Sequence, residues 1–276
     1  MKEKNEIKRE DLKSNIMKNI IFRFDYQGMI DSTDFVKLFN ENFKDFFLEY
    51  RKNIHNTVDL QLNNIEDISD TLSIPISEIK KQDIHVFKKN SFGSDKLTLI
   101  VSIYNTILNI ECVNYKNVNE YIEFINNYIE LLFKQNQYLS LKRFGLRKIG
   151  TSIYTDFKEI NVDFEMKYFN FEETVFEHYK LQKNRIEEII FDQHTGLKVN
   201  FIRSLDTGII FEEENNEEKK AYQVTLDLDA YLDEIALNNN NYKENLKALI
   251  PEINNNHLFN IFKHSVTQDF LNKNLN

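Results

Sequence analysis

Apolar and polar side chains alternate between residues 19 and 26. Ile20, Phe22, Phe24 and Tyr26 share one phase, and Arg23 and Asp25 share the other. Alternation of this kind puts the two sets on opposite faces of a strand, so a half-buried strand is expected. The period then changes. Behind Ser32, Phe35, Leu38, Phe39, Phe43, Phe46, Phe47 and Tyr50 recur at mostly three- and four-residue steps. That spacing predicts an amphipathic helix capped by Ser32. Residues 53–80 combine a strand-like TVDLQL with a breaker at Pro75, after which Ser77 can cap at most a short helical turn.

The signal sharpens from residue 83. DIHVFKK, KLTLIVSIY and ILNIECVNY are β-prone runs joined by short polar turns, which predicts an antiparallel meander. NVNE (117–120) has the form of a capping box, with Asn117 capping and Glu120 at the third helical position. Val118, Tyr121, Ile122, Ile125, Tyr128, Ile129, Leu132 and Phe133 follow as a helical stripe. KRFGLRKIG (142–150) opens a long strand reaching about Tyr154. Further strands are expected at VDFEMKYF, RIEEIIF, GLKVNFIRSL, GIIFEEE and AYQVTLDLDAYL, with the acidic run at 212–220 as a hairpin tip. One or two helices close the chain, divided or restarted at Pro251. The expected class is α+β, with antiparallel sheets packed on long amphipathic helices. The element order recurs roughly twice, which points to two topologically similar halves, 1–160 and 161–276, closely packed as one unit.

Composition narrows the function classes. The formal net charge is -9, which argues against broad electrostatic attachment to duplex DNA. With one cysteine, Cys112, an intramolecular disulfide and a cysteine-rich zinc site are excluded. No apolar run approaches a membrane span, and the charged N-terminus lacks a signal-peptide core. A cytoplasmic protein is expected. The six histidines form no metal-ligand pair at recognised spacing, and no phosphate-loop, dinucleotide or nucleophile-elbow motif is present. Neither a metal nor a cofactor is therefore expected.

Two stretches could carry chemistry. In KRFGLRKIG, Arg143, Gly145 and Arg147 lie in one strand phase, so both guanidinium groups project together past a residue without a side chain. Paired guanidinium groups favour a carboxylate, a phosphate or acidic side chains of a neighbouring strand. In LDLDAY, Asp227 and Asp229 likewise share a phase. Three readings stand open: an ion-pair ladder between the two strands, a polar ligand pocket between them, or two carboxylates on a divalent cation. Lys142, Arg143, Phe144, Arg147 and Lys148 also make a basic–aromatic cluster of the kind that binds single-stranded nucleic acid.

Taken together, Tyr115 and Val118 at a strand-to-helix junction, FGLRKIG, LDLDAY and HLFNIFKHSVTQDFL resemble a sporadically distributed prokaryotic protein family of unknown function. That family shows a tyrosine–tryptophan junction, a G-L-R-Y-[IV]-N stretch, a late D-[ILV]-D-x-[YF] strand and a phenylalanine-ended helix. This chain departs from it at Val118, Lys148 and Gly150. The resemblance implicates Gly145, Arg147, Asp227 and Asp229 and carries over no activity. Its patchy distribution implies antiphage-defence or mobile-element cargo. The expected function is therefore a non-enzymatic binding or interaction protein, met by a protein partner or an anionic ligand. The alternatives are a metal-dependent hydrolase or nuclease using Asp227 and Asp229, and a nucleotide or nucleic-acid sensor. A homodimer through the Phe-rich helix 35–50 is a further expectation.

Overall fold

The computed structural model describes residues 3–12, 16–29, 31–60, 76–90, 94–113, 118–212 and 217–275. Strand β1 (Met17–Gln27) leads into helix α1 (Ser32–Phe43). A meander follows: β2 (Glu49–Leu60), β3 (Ile76–Lys89), β4 (Lys96–Val101) and β5 (Asn105–Glu111). Helix α2 (Asn119–Gln135) and strand β6 (Ser140–Tyr154) come next, then α3 (Phe157–Asp163) and a small ribbon, β7 (Thr174–Phe176) with β8 (Tyr179–Lys180). A second meander consists of β9 (Lys183–Phe191), β10 (Lys198–Glu212) and β11 (Glu217–Asp233). The chain closes with α4 (Glu234–Asn239), α5 (Tyr242–Glu252), a π turn, α6 (Phe259–Ser265) and α7 (Gln268–Lys273).

The class is α+β, as the patterning predicts. Nine strands form one sheet in the order β2-β3-β4-β5-β1-β6-β11-β10-β9, with every neighbouring pair antiparallel. Each meander ends by returning its last strand beside an earlier one, β5 beside β1 and β11 beside β6. The sheet runs unbroken across residue 160, because β6 and β11 pair from Arg143↔Asp233 to Tyr154↔Tyr222.

One face of the sheet carries the core. Phe22, Phe24, Phe144, Leu146, Leu228 and Ala230 all point into it and are buried. α2 lays Tyr121, Phe124, Ile125, Tyr128, Ile129 and Leu132 against them, and α1 adds Phe35 and Phe39. Tyr128 stands edge-on to Phe35 at 5.7 Å, and its hydroxyl, too deep for water, pairs with Thr106. Aromatic packing of this kind supplies much of the burial that offsets chain entropy.

Several elements depart from the sequence pattern. α1 ends at Phe43 and Tyr50 lies in β2, so the helical stripe is shorter than its spacing implies. Asp31, not Ser32, caps α1, accepting from the Thr33 N–H at 2.7 Å. Ser77 belongs to β3. VDFEMKYF forms no strand: it holds the end of α3 and a turn in which Phe164 bridges to Val266 and packs on Phe270 of α7, while Tyr168 meets Phe201 of β10. GLKVNFIRSL and GIIFEEE are one strand running through Gly208. Pro251 sits inside α5, and the irregularity falls two residues later, in the π turn Ile253–Leu258. Asn117 and Tyr115 lie outside the described residues, and α2 begins at Asn119 behind Val118.

Candidate functional site

The face of the sheet away from the core carries both sequence-predicted stretches. The phase of β6 that points inward is Phe144, Leu146 and Lys148, so Arg143, Gly145, Arg147 and Ile149 point outward. On β11 the inward phase is Leu226, Leu228 and Ala230, which turns Asp227, Asp229 and Tyr231 outward. The two strands are neighbours, with Asp229 opposite Arg147 and Tyr231 opposite Gly145. Arg23 and Asp25 of β1 flank β6 on its other side, paired with Gly145 and Arg143.

The expected meeting of arginines and aspartates is present, but on a diagonal. Arg147 bypasses the facing Asp229 and grips Asp227 with both arms, Nε to Oδ1 at 2.8 Å and the terminal nitrogen to Oδ2 at 2.5 Å. This fork geometry is the strongest form of the pair. The Asp227 hydrogen bonds shift the Arg147 guanidinium further toward its charged form. Asp227 is nearly closed from solvent, whereas Arg147 remains 40% exposed. Arg143 reaches the remaining carboxylate, Asp229, at 3.3 Å and lies 4.2 Å from the centre of the Tyr231 ring. Asn200 of β10 donates to the same Asp229 oxygen at 3.3 Å. The Arg143 Nε is buried and has no hydrogen-bond partner. Asp233 faces Arg143 across the strands but is otherwise engaged: it caps α4 through the Ala236 N–H and holds Lys198 at 2.8 Å.

Gly145 plays a smaller part than its position in the motif implies. Its pairing with Arg23 and Tyr231 is regular, and the two register shifts of β1 against β6 lie to either side, at Asp25/Tyr26 and at Met17/Asn19. A methyl group on Gly145 would meet only ordinary contacts, the nearest at 3.6 Å. Gly145→Ala is therefore expected to leave the thermal midpoint unchanged or raise stability by about 0.5 kcal/mol, because glycine loses more freedom on folding. A marked loss of stability in a melting experiment would show that the backbone there needs glycine after all.

The basic–aromatic cluster does not survive folding as one surface. Lys142, Arg143 and Arg147 stay outward, while Phe144 and Lys148 are buried on the core face. Lys148 and Arg203 are functional-group burials that pattern reading missed. Arg203 is buried, stacks over Phe201 at 4.1 Å and meets Glu188 at 2.6 Å. A signal was present: each sits in the inward phase of its strand, Lys148 beyond Leu146 and Arg203 between Phe201 and Leu205.

Other candidate chemistry resolves as structure. The Ser32 hydroxyl and the His85 Nε2 lie 3.2 Å apart, and the His85 Nδ1 meets the Tyr50 hydroxyl at 2.9 Å. This resembles a nucleophile–base pair, but Ser32 and His85 are both almost wholly buried, so no substrate reaches them. Burial, and then the charge of Lys52, holds His85 toward its neutral form. His257 lies 4.0 Å from Asp192, and the His264 Nδ1 is 2.7 Å from its own helix's Asn260 carbonyl oxygen. Burial pushes the Cys112 thiol up to about 12, which leaves it inert at neutral pH. Among the described residues no three His, Cys, Asp or Glu side chains are grouped to hold a metal ion, and no helix is long and apolar enough to cross a membrane. Comparison with known protein families, curated proteins and solved structures gives no match.

Proposed function

We propose that this chain is a non-enzymatic binding protein whose outer sheet face receives a protein partner. The observation that carries the reading is the charged ladder across the centre of that face. Arg23, Asp25, Arg143, Arg147, Asp229 and Lys198 mix positive and negative charge over β1, β6, β11 and β10. The Arg143 guanidinium, 31% exposed beside Asp229, can turn a terminal nitrogen toward a docking carbonyl or carboxylate. Mixed charge suits a complementary protein surface better than a polyanion, because the aspartates would repel successive phosphates. Arg147 occupies both Asp227 oxygens, so a divalent cation would first have to displace it. That favours binding over a metal-dependent hydrolase. A cytoplasmic role in antiphage defence or an immunity pair belongs to the same reading and rests on the family resemblance. The architecture of two topologically similar halves belongs to it too, and is supported by the recurring order of a strand, a helix and a meander returning beside its first strand.

Native co-purification with mass spectrometry tests this, comparing the full chain with Arg143→Glu. The expected result is one stoichiometric protein partner whose recovery falls at least about tenfold in the variant, while the variant still unfolds in a single cooperative transition. Equal recovery of that partner by both chains would overturn the assignment of this face. A nucleotide or nucleic acid in place of a protein would overturn the partner class.

A further inference from the structure

Behind Arg147, on the opposite face of the same strand, lies a feature that the outer ladder does not use. Lys148 sits between Ile20 of β1 and Leu228 of β11 and is 8% exposed. Its ammonium group has no hydrogen-bond or ion-pair partner among the described residues. It lines a cavity of about 40 Å³ between the sheet and the C-terminal helices. Leu226, Leu228, Phe259, Phe262 and Phe270 form apolar walls, and Arg9 brings a second cation to the rim. No carboxylate occurs among the described lining residues. Burial first, and the charge of Arg9 second, push the Lys148 ammonium down to about 7.

A buried amine facing apolar walls is costly in its charged form unless an anion joins it. The shape of the cavity restricts that anion. Its volume corresponds to roughly three water-sized positions. A phosphate or sulfate would turn several oxygens toward leucine and phenylalanine with nothing to donate to them. A monocarboxylate carries its acceptors at one end and presents carbon to the walls. We propose that this cavity is a binding site for a short-chain monocarboxylate of about two to four carbons, its carboxylate held by Lys148 and its alkyl end against Leu228 and Phe262. The proposal is independent of the outer face and of any protein partner.

The test uses the full chain with ¹³C-labelled leucine methyl groups, titrated with sodium butyrate. The expected result is saturable movement of the Leu226, Leu228 and Leu258 signals, with a rise in melting temperature at saturating butyrate. Sodium chloride and inorganic phosphate at equal concentration should give neither. Movement that is absent, that chloride or phosphate reproduces, or that persists unchanged in Lys148→Met would overturn the site. The wild-type titration decides the matter by itself if that variant fails to fold.

Discussion

Lys148→Met is expected to stabilise this protein, and the gain should shrink as pH rises. The wild-type residue places an amine on the core face of β6, with burial the main cause of its depressed affinity for a proton. In the unfolded chain a lysine keeps its proton up to its ordinary value of 10.5, whereas folded Lys148 releases it near 7. Between those values the unfolded state binds more protons, so raising the pH favours the folded state. The burdens of burying Lys148 are therefore greatest below about pH 7 and fade toward 10.5. A displacement of that size corresponds to roughly 5 kcal/mol, an upper bound because buried sites relax and admit water. Methionine is close in length and carries no charge, so it should fill the same space. Urea denaturation of both chains at pH 6, 8 and 10 checks this. A variant less stable than wild type at pH 6, or a difference that does not change with pH, would show that the ammonium is well compensated in the fold.

Arg147→Ala is expected to cost about 2 kcal/mol. Removing the guanidinium leaves the Asp227 carboxylate almost buried and stripped of both charge-assisted bonds. Loss of one member of a fully buried pair costs about 3–5 kcal/mol. The partial exposure of Arg147 lets water take its place, which lowers the figure. The cycle closes with Asp227→Leu and the double variant. The double variant should recover much of the loss, because no charge is then left unpaired. If Arg147→Ala instead melts like wild type and loses a partner, the pair serves recognition and not stability.

The contrast between these two neighbours shows how far pattern reading reaches. Alternation along KRFGLRKIG was enough to set Arg143 and Arg147 on one face, and the same rule set Asp227 and Asp229 together. The same rule turns Lys148 inward, although its charge places it in the basic cluster with the arginines. Which aspartate each arginine takes was not legible. It depends on the register of β6 against β11, and on the N-cap role that engages Asp233. The paired residues Arg147 and Asp227 are 80 positions apart in the chain, and no local spacing encodes their offset.

Residues 162–169 fail for a related reason. Val162, Phe164, Met166 and Tyr168 alternate as a strand would, but Phe164 and Phe169 pack on each other at 4.5 Å and Phe164 also meets Phe270 of α7. Phe164 takes its partners Val266 and Phe270 from the far end of the chain, and tertiary packing overrides local period there. By itself the sequence determined the α+β class, the inward phase of each central strand and the outward placing of Arg143, Arg147, Asp227 and Asp229. Those follow from side-chain periodicity, which is local. The tertiary structure alone decided that both meanders join one nine-stranded sheet. It also decided that Arg147 grips Asp227, and that an apolar cavity forms around Lys148, because each depends on contacts between segments distant in sequence.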